Sequence, residues 1–311
     1  PSAIRAYLVD PAEFWLKRAL KMNEVGFNFI ELAPYAFGNL IHGTLERFGK
    51  ANLGKALSNR TEIEKQFQAF LDEYIQDTFG KSVPPSVRLQ KEVARARLLA
   101  FAEQQAKLYN DGWVIQSVED AFEIPKEVKG MMINGKCDRI DQNLNTGKWR
   151  IFDYKTSGKA KKPVLTHTTK GAVNQAFCSE VPKRNRSGEP TGDSKLIRWT
   201  DLQLPIYHLA ATSQCLKSGL VIPKDQKLDI GYINLPPESS STLVSPWNHY
   251  HEDYQVEAEL QMKAVIDRIL QGGTDAFQPS EGGSKNPLLK SLHGRPMKSY
   301  LNIEQLGGIR S

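Results

Sequence analysis

The chain has 311 residues, with 41 Lys plus Arg against 35 Asp plus Glu, 40% hydrophobic and 24% charged residues. Such a composition fits an ordinary globular protein of one large domain or two modest ones, and it excludes disordered, collagen-like and coiled-coil chains. The formal charge of +6 is local: the stretch from Asp153 to Arg198 holds ten Lys/Arg against four Asp/Glu, and the rest of the chain sums to zero.

In chain order, the first half reads as helical. Ser2 is placed to cap a short helix, and Asp10-Pro11 restarts another through Leu20, because Asp favours the N-cap and Pro the first helical position. Apolar residues at three- and four-residue spacing then predict amphipathic helices over Pro34 to Phe48, Thr61 to Phe79 and Ser86 to Tyr109. At Asp111-Gly112 the period changes to two. Trp113 to Ile124, Met131 to Asp141 and Lys148 to Tyr154 read as three strands of an antiparallel meander, the last two joined by the turn Asn145-Thr146-Gly147. The basic segment 156–200 follows as a loop-like insertion rich in Gly, Ser, Thr and Pro. A helix from Asp201 to Leu216, a strand from Leu228 to Leu235 and a helix from Tyr254 to Leu270 complete an α/β (α+β) core. The tail from Gly272 is weakly periodic, with one short helix expected around Asn302 to Leu306.

Cys137, Cys178 and Cys215 are far apart and form no C-x-x-C pair, which argues against a disulfide framework or a zinc ribbon and favours a reducing, cytoplasmic setting. No apolar run of about 18 residues is present, so no membrane helix is expected. Because the chain starts at Pro1, an upstream leader or domain stays open. Gly80-Lys81-Ser82 resembles the end of a P-loop, but Ile75 stands where the loop needs glycine, so a nucleotide-driven motor is not encoded.

The most informative stretch is Gly135-Lys-Cys-Asp138-Arg-Ile-Asp141, followed by Ile151-Phe-Asp153-Tyr-Lys155-Thr. Side chains alternate faces along a strand, so Asp153 and Lys155 point the same way and Asp138 on the neighbouring strand is brought beside them. Two carboxylates and an ammonium on one patch suit a hard divalent cation and phosphate chemistry. A solvent-facing hairpin with alternating charges gives the same letters; Ile151 and Phe152 argue for a buried strand instead. His42, in Gly38-Asn-Leu-Ile-His-Gly, reads equally as a packed helix residue, and Gln203 with Tyr207, at i and i+4, as a surface stripe. His249 and His251 lack accompanying carboxylates and read as structural.

Taken together and in this order, His42, Asp138, Asp153-x-Lys155 and Gln203-x-x-x-Tyr207 resemble the motifs of the RecB-like branch of the PD-(D/E)xK nuclease superfamily. The helix Pro1-Ser-Ala-Ile-Arg-Ala-Tyr-Leu is similar to that branch's opening helix. The resemblance implies a single nuclease domain over 1–280, with a helical region spanning 1–110, a catalytic core over 111–271 and a tail over 281–311. It implies a restriction-endonuclease-like core, a central mixed sheet flanked by helices. It also implies metal ligation by His42, Asp138, Asp153 and the Tyr154 carbonyl, with Glu119 taking part through water or standing as an exposed strand residue. Lys155 becomes the catalytic lysine, assisted by Gln203 and Tyr207. Mg²⁺ or Mn²⁺ is the implied cofactor, the histidine leaning toward Mn²⁺. An iron–sulfur cluster, known in several relatives, is not expected, since Asp10 precedes Pro11 and no cysteine follows Cys215.

The implied activity is metal-dependent hydrolysis of DNA by an exonuclease in repair or recombination, with a helicase domain or subunit as partner. An endonuclease and a non-cleaving DNA-binding module of the same fold are the alternatives. Lys159, Lys161, Lys162, Lys170, Lys183, Arg184, Arg186 and Arg198, with Gln203 and Tyr207, are the expected nucleic-acid contacts, and Trp199 a candidate for stacking on bases.

Overall fold

A computed structural model describes residues 1–21, 34–125, 132–223, 226–272 and 275–277. The chain divides into two compact units. The larger comprises Gly26–Thr166 and Leu204–Glu252, and the smaller Pro1–Val25, His167–Gln203 and Asp253–Ser311.

The larger unit begins with three long helices, α3 (Pro34–Ala51), α4 (Arg60–Phe79) and α5 (Pro85–Asn110), after two short ones, α1 (Ser2–Val9) and α2 (Pro11–Phe14), that belong to the smaller unit. Asn59 starts α4 by accepting the Glu62 amide on its side chain (3.3 Å). The apolar spacing of the sequence is realised as one core: Ile63, Phe67 and Leu71 of α4 join Leu98 and Phe101 of α5 and Ile41, Leu45 and Phe48 of α3. Phe48 and Phe67 lie 4.5 Å apart at their ring centres. Each such side chain contributes roughly 1.5–3 kcal/mol on burial.

These helices pack with a five-stranded sheet of order β1-β2-β3-β7-β8, formed by β1 (Trp113–Pro125), β2 (Met132–Asn143), β3 (Trp149–Lys155), β7 (Leu228–Asn234) and β8 (Leu243–Pro246). The first three strands form the expected meander, with its turn built by Asn143, whose side chain accepts the Asn145 and Thr146 amides. β7 joins β3 in parallel, Asp153 opposite Tyr232 and Lys155 opposite Asn234, and β8 closes the edge antiparallel. The sheet is therefore mixed, as the α/β, restriction-endonuclease-like expectation requires.

The smaller unit contains a second, three-stranded antiparallel sheet of order β4-β6-β5: β4 (Thr168–Lys170), β5 (Cys178–Arg184) and β6 (Pro190–Trp199). Where the sequence suggests a basic loop, residues 168–199 thus hold a hairpin and an added strand. The strands are hard to read because β6 is exposed from Pro190 to Lys195 and buries only Ile197 and Trp199, leaving no apolar alternation. Short α6 (Pro163–His167) precedes this sheet and was likewise not expected.

The remaining boundaries differ by small amounts. Asp10 caps α2 as expected, accepting the Ala12 and Glu13 amides, whereas α1 starts at Ser2 with no side-chain cap. The predicted run to Leu20 passes into a π-helical turn, Trp15–Ala19. Helix α7 is shorter than predicted, Gln203–Thr212, opening where the Asp201 carboxylate accepts the Gln203 amide (2.9 Å). Helix α8 spans Glu252–Gln271. The helix expected at 302–306 lies outside the described residues. No helix among the described residues is long and apolar enough to cross a membrane.

Candidate metal centre and active site

The site lies within the larger unit, and its position follows from how α3 is seated. Gly43 and Gly49 follow His42 on this helix. A Cβ at Gly43 would fall 2.0 Å from the Tyr74 ring of α4, and one at Gly49 would fall 2.4 Å from Val118 of β1. Each glycine costs a helix about 1 kcal/mol relative to alanine. The return is close approach on both sides, which lays α3 on the sheet and brings His42 to the end of β3. There His42 Nε2 is 3.2 Å from the Tyr154 carbonyl oxygen, and Nδ1 is 3.4 Å from Asp138 Oδ2.

Asp138 sits on β2, nearly buried, and accepts the Tyr154 amide (2.9 Å) from the next strand. Glu119 of β1 completes the cluster: one ligand atom each from His42, Glu119 and Asp138 lie within 4.8 Å of one another. Among the described residues this is the one group of three His, Cys, Asp or Glu side chains so arranged. Glu119 reaches it with φ of +49°, a left-handed conformation that costs a non-glycine residue roughly 1–3 kcal/mol and turns the strand locally. It also lies 3.8 Å from Lys136.

Asp153 and Lys155 share the next strand end. The lysine Nζ is 2.6 Å from Asp153 Oδ2, and it lies over the Tyr232 ring of β7, 4.7 Å from the ring centre. The ring face and the carboxylate hold an ammonium in place with little freedom.

The electrostatics of the cluster are those of crowded acids. Burial, then the Asp153 charge and Glu119, push the Asp138 carboxyl well above the usual range, against the opposing pull of the Tyr154 amide and Lys155. Burial, then Glu46, with Asp153 also contributing, raises Glu119 despite Lys136 and Lys50. Burial holds His42 below its ordinary value, outweighing the Asp153 charge, so the imidazole is neutral at pH 7 and available as a ligand.

Two carboxylates, an imidazole and a carbonyl oxygen converge, with the further acid Asp153 beside them. A divalent cation fits this donor set: hard oxygens with one nitrogen, the ligation pattern of Mg²⁺ or Mn²⁺ sites. His42, Glu119, Asp138 and the Tyr154 carbonyl would hold it, with Asp153 beside them and engaged by Lys155.

The remaining expected contacts are spread over both units. Gln203 opens α7 in the smaller unit. Tyr207, in the larger unit, is 3% exposed, its ring edge-on to Phe122 at 5.9 Å, so it packs in the core. Trp199 is fully buried in the smaller unit, its indole donating to Ser179 Oγ (3.1 Å), and presents no face to a base. The basic residues are divided between the units: Lys159, Lys161 and Lys162 belong to the larger, and Lys170, Lys183, Arg184, Arg186 and Arg198 to the smaller. Arg184 Nη2 donates to both carboxylate oxygens of Asp253 (2.6 and 2.8 Å), Lys183 pairs with Asp193 (3.5 Å), and Arg198 donates to the Leu8 carbonyl (3.4 Å). His249 and His251 stack on one another, 6.4 Å between centres.

Two residues near the site were not foreseen. Asn234, fully buried at the end of β7 and paired with Lys155 across the sheet, accepts the Lys161 amide on Oδ1 (2.7 Å) and donates through Nδ2 to the Lys161 carbonyl (3.1 Å) and to Ser245 Oγ (3.1 Å). It ties the basic stretch 159–162 to the strand end that carries Lys155. Arg97 of α5 donates through Nη1 to the carbonyls of Thr156 (2.8 Å) and Leu235 (3.1 Å). The contacts to Lys161, Thr156 and Leu235 join residues 59 to 138 positions apart, and no local sequence pattern announces them.

A profile of the PD-(D/E)XK nuclease superfamily matches residues 1–178, more than half of the chain and all of the cluster from His42 to Lys155. Superfamily members are in general hydrolytic nucleases that use divalent metals. The matched span, the mixed five-stranded sheet and the acidic cluster at the end of β3 agree, and the chain belongs to the PD-(D/E)XK nuclease superfamily.

Proposed function

We propose that this protein is a divalent-metal-dependent deoxyribonuclease of the RecB-like branch, a cytoplasmic exonuclease of DNA repair or recombination that works alongside a helicase domain or subunit. The observation that carries the nuclease reading is the convergence of His42, Glu119 and Asp138 beside the Asp153–Lys155 pair. The histidine supports the branch, because it comes from a helix ahead of the core strands, where the resemblance puts the branch's ligand. The exonuclease, repair and helicase elements rest on that branch resemblance.

A bound Mg²⁺ or Mn²⁺ supplies Lewis acidity toward a phosphate oxygen and toward the attacking water. The chain's own residues do the rest. His42, Asp138, Glu119, Asp153 and the Tyr154 carbonyl form the negative cradle. Lys155, positioned by Asp153 and the Tyr232 ring, orients the water and stabilises charge growing on the phosphate as the new P–O bond forms and the ester P–O bond breaks. Lys159, Lys161 and Lys162 hold the DNA backbone without reading sequence. Gln203 and Tyr207 act as positioning residues, Tyr207 from within the core.

The test is a time course on end-labelled linear and covalently closed circular DNA with Mg²⁺ or Mn²⁺, comparing the wild type with Asp153→Ala and Lys155→Ala. Loss of cleavage in both variants is expected, with circles spared by the wild type. Cut circles would make the enzyme an endonuclease. Undiminished cleavage in both variants would remove the site, and DNA binding without cleavage by the wild type would make the protein a binding module.

A further inference from the structure

We propose that Arg97 is a phosphate-binding residue of the DNA track, a further contact that rests on the nuclease reading above. Its place in the fold is the first reason. Through Nη1 it holds the carbonyls of Thr156 and Leu235, the residues that follow Lys155 and Asn234 at the ends of the parallel strands β3 and β7. The guanidinium is therefore fixed one residue beyond the lysine that serves the reacting phosphate. From the same strand ends Asn234 anchors Lys161, so Arg97 and the lysine stretch 159–162 are both tied to the one edge of the sheet.

The second reason is its charge. Among the described residues no carboxylate pairs with Arg97, and no neighbouring acid acts on it; burial alone opposes its charge. Its companions are the Phe37 ring, 4.7 Å from the guanidinium carbon, and the two carbonyls, while Nε is buried with no hydrogen-bond partner. A strand-end clamp needs only a neutral donor. A permanent cation that is half-buried without a counter-ion is expensive, and an approaching anion repays that cost. With Nη1 on the two carbonyls and Nε buried, Nη2 is the nitrogen left to donate a charge-assisted hydrogen bond to a phosphate oxygen. By contrast, Arg184, another arginine fixed in a partly buried place, has a counter-ion, its Nη2 donating to both carboxylate oxygens of Asp253.

The experiment is a salt titration of DNA binding by the full chain, with a labelled oligonucleotide in EDTA, for the wild type, Arg97→Gln and Arg97→Lys. Each neutralised phosphate contributes about −0.9 to the slope of log K against log salt on duplex DNA, or about −0.7 on single strands. Arg97→Gln keeps an N–H donor for the carbonyls and loses the charge, so its slope should fall by about one such step. Arg97→Lys should keep the wild-type slope. An unchanged slope in a folded Arg97→Gln variant overturns the proposal.

Modification of the wild type by phenylglyoxal, read by peptide mass, covers the case in which Arg97→Gln does not fold. Protection of Arg97 by saturating oligonucleotide supports the contact. Equal modification with and without DNA, or no modification in either, shows that DNA does not reach Arg97 and overturns it. If the wild type binds no DNA at all, the nuclease reading fails first and takes this contact with it; cleavage by a wild type whose slope Arg97 does not share removes the contact alone.

Discussion

Asp138 and Asp141 stand three residues apart on β2, both buried, and they live in opposite surroundings. Asp141 is joined to Arg139 at 2.6 Å, and Arg139 is held in turn by Gln105 of α5, in a patch with no exposure at all. Burial raises the Asp141 carboxyl, but Arg139 and then Arg150 pull it back. Around Asp138 the strongest neighbour is another acid, Asp153. One carboxylate has its cation built into the fold, and the other, proposed above as a metal ligand, faces a second acid. The pairing, rather than burial, separates the two acids.

Substitutions should divide the two cleanly. Asp138→Asn should abolish cleavage, by at least about a thousandfold, while leaving thermal stability equal or higher, because it removes a charge from a repelling pair. Parallel assays of cleavage rate on linear DNA and of melting temperature would show it; a stability loss as large as that at Asp141 would erase the contrast. Lys155→Met should lower the rate by roughly 10²–10⁴ with DNA affinity kept, as expected for a group used mainly in the transition state. Asp141→Asn should do the reverse of Asp138→Asn. It leaves the Arg139 guanidinium buried without its anion, at about 3–5 kcal/mol measured by urea denaturation, and the remaining folded protein still cuts.

His208 offers a third case, burial with neither a cation nor an acid beside it. Desolvation lowers it to about 4, and its Nδ1 is buried without a partner. Since the folded value lies below the ordinary 6.5, the unfolded chain takes up the proton first. The stability tied to a neutral His208 is whole above about pH 6.5 and drains as the pH falls toward 4. His208→Gln should flatten that stretch of the stability curve relative to the wild type, and superimposable curves would show that the ring is solvated. Asn234→Ala is the mildest test. It should cost about 1–2 kcal/mol and raise KM for DNA a few-fold with kcat nearly unchanged, by releasing the lysine stretch 159–162.

The helices and the meander were legible because each has a period that its core-facing residues must keep; Ile63, Phe67 and Leu71 are such a stripe. Asp138, Asp153 and Lys155 were legible because strand alternation puts them on adjoining positions. The basic segment was read as one loop because charge was counted along the chain. In the fold its cations are divided between two units, and several are already matched, Arg184 to Asp253 and Lys183 to Asp193. Arg97 and Asn234 were invisible for a different reason. Each acts through main-chain carbonyls and amides of distant segments, and those carry no sequence signature.

The parallel pairing of β3 with β7 bears on when the enzyme becomes competent. Antiparallel neighbours close through a turn, but a parallel neighbour has to return through a crossover, and here everything from 156 to 227 intervenes. Closing so long a loop is slow, so the helices and the β1–β3 meander should form first, with β3 as a bare edge open to wrong partners. Tyr232 and Asn234, which steady Lys155 and the lysine stretch, arrive only with β7. Lys155, proposed above as the catalytic lysine, is thus steadied among the last events of folding, and a partly folded chain should be a poor nuclease.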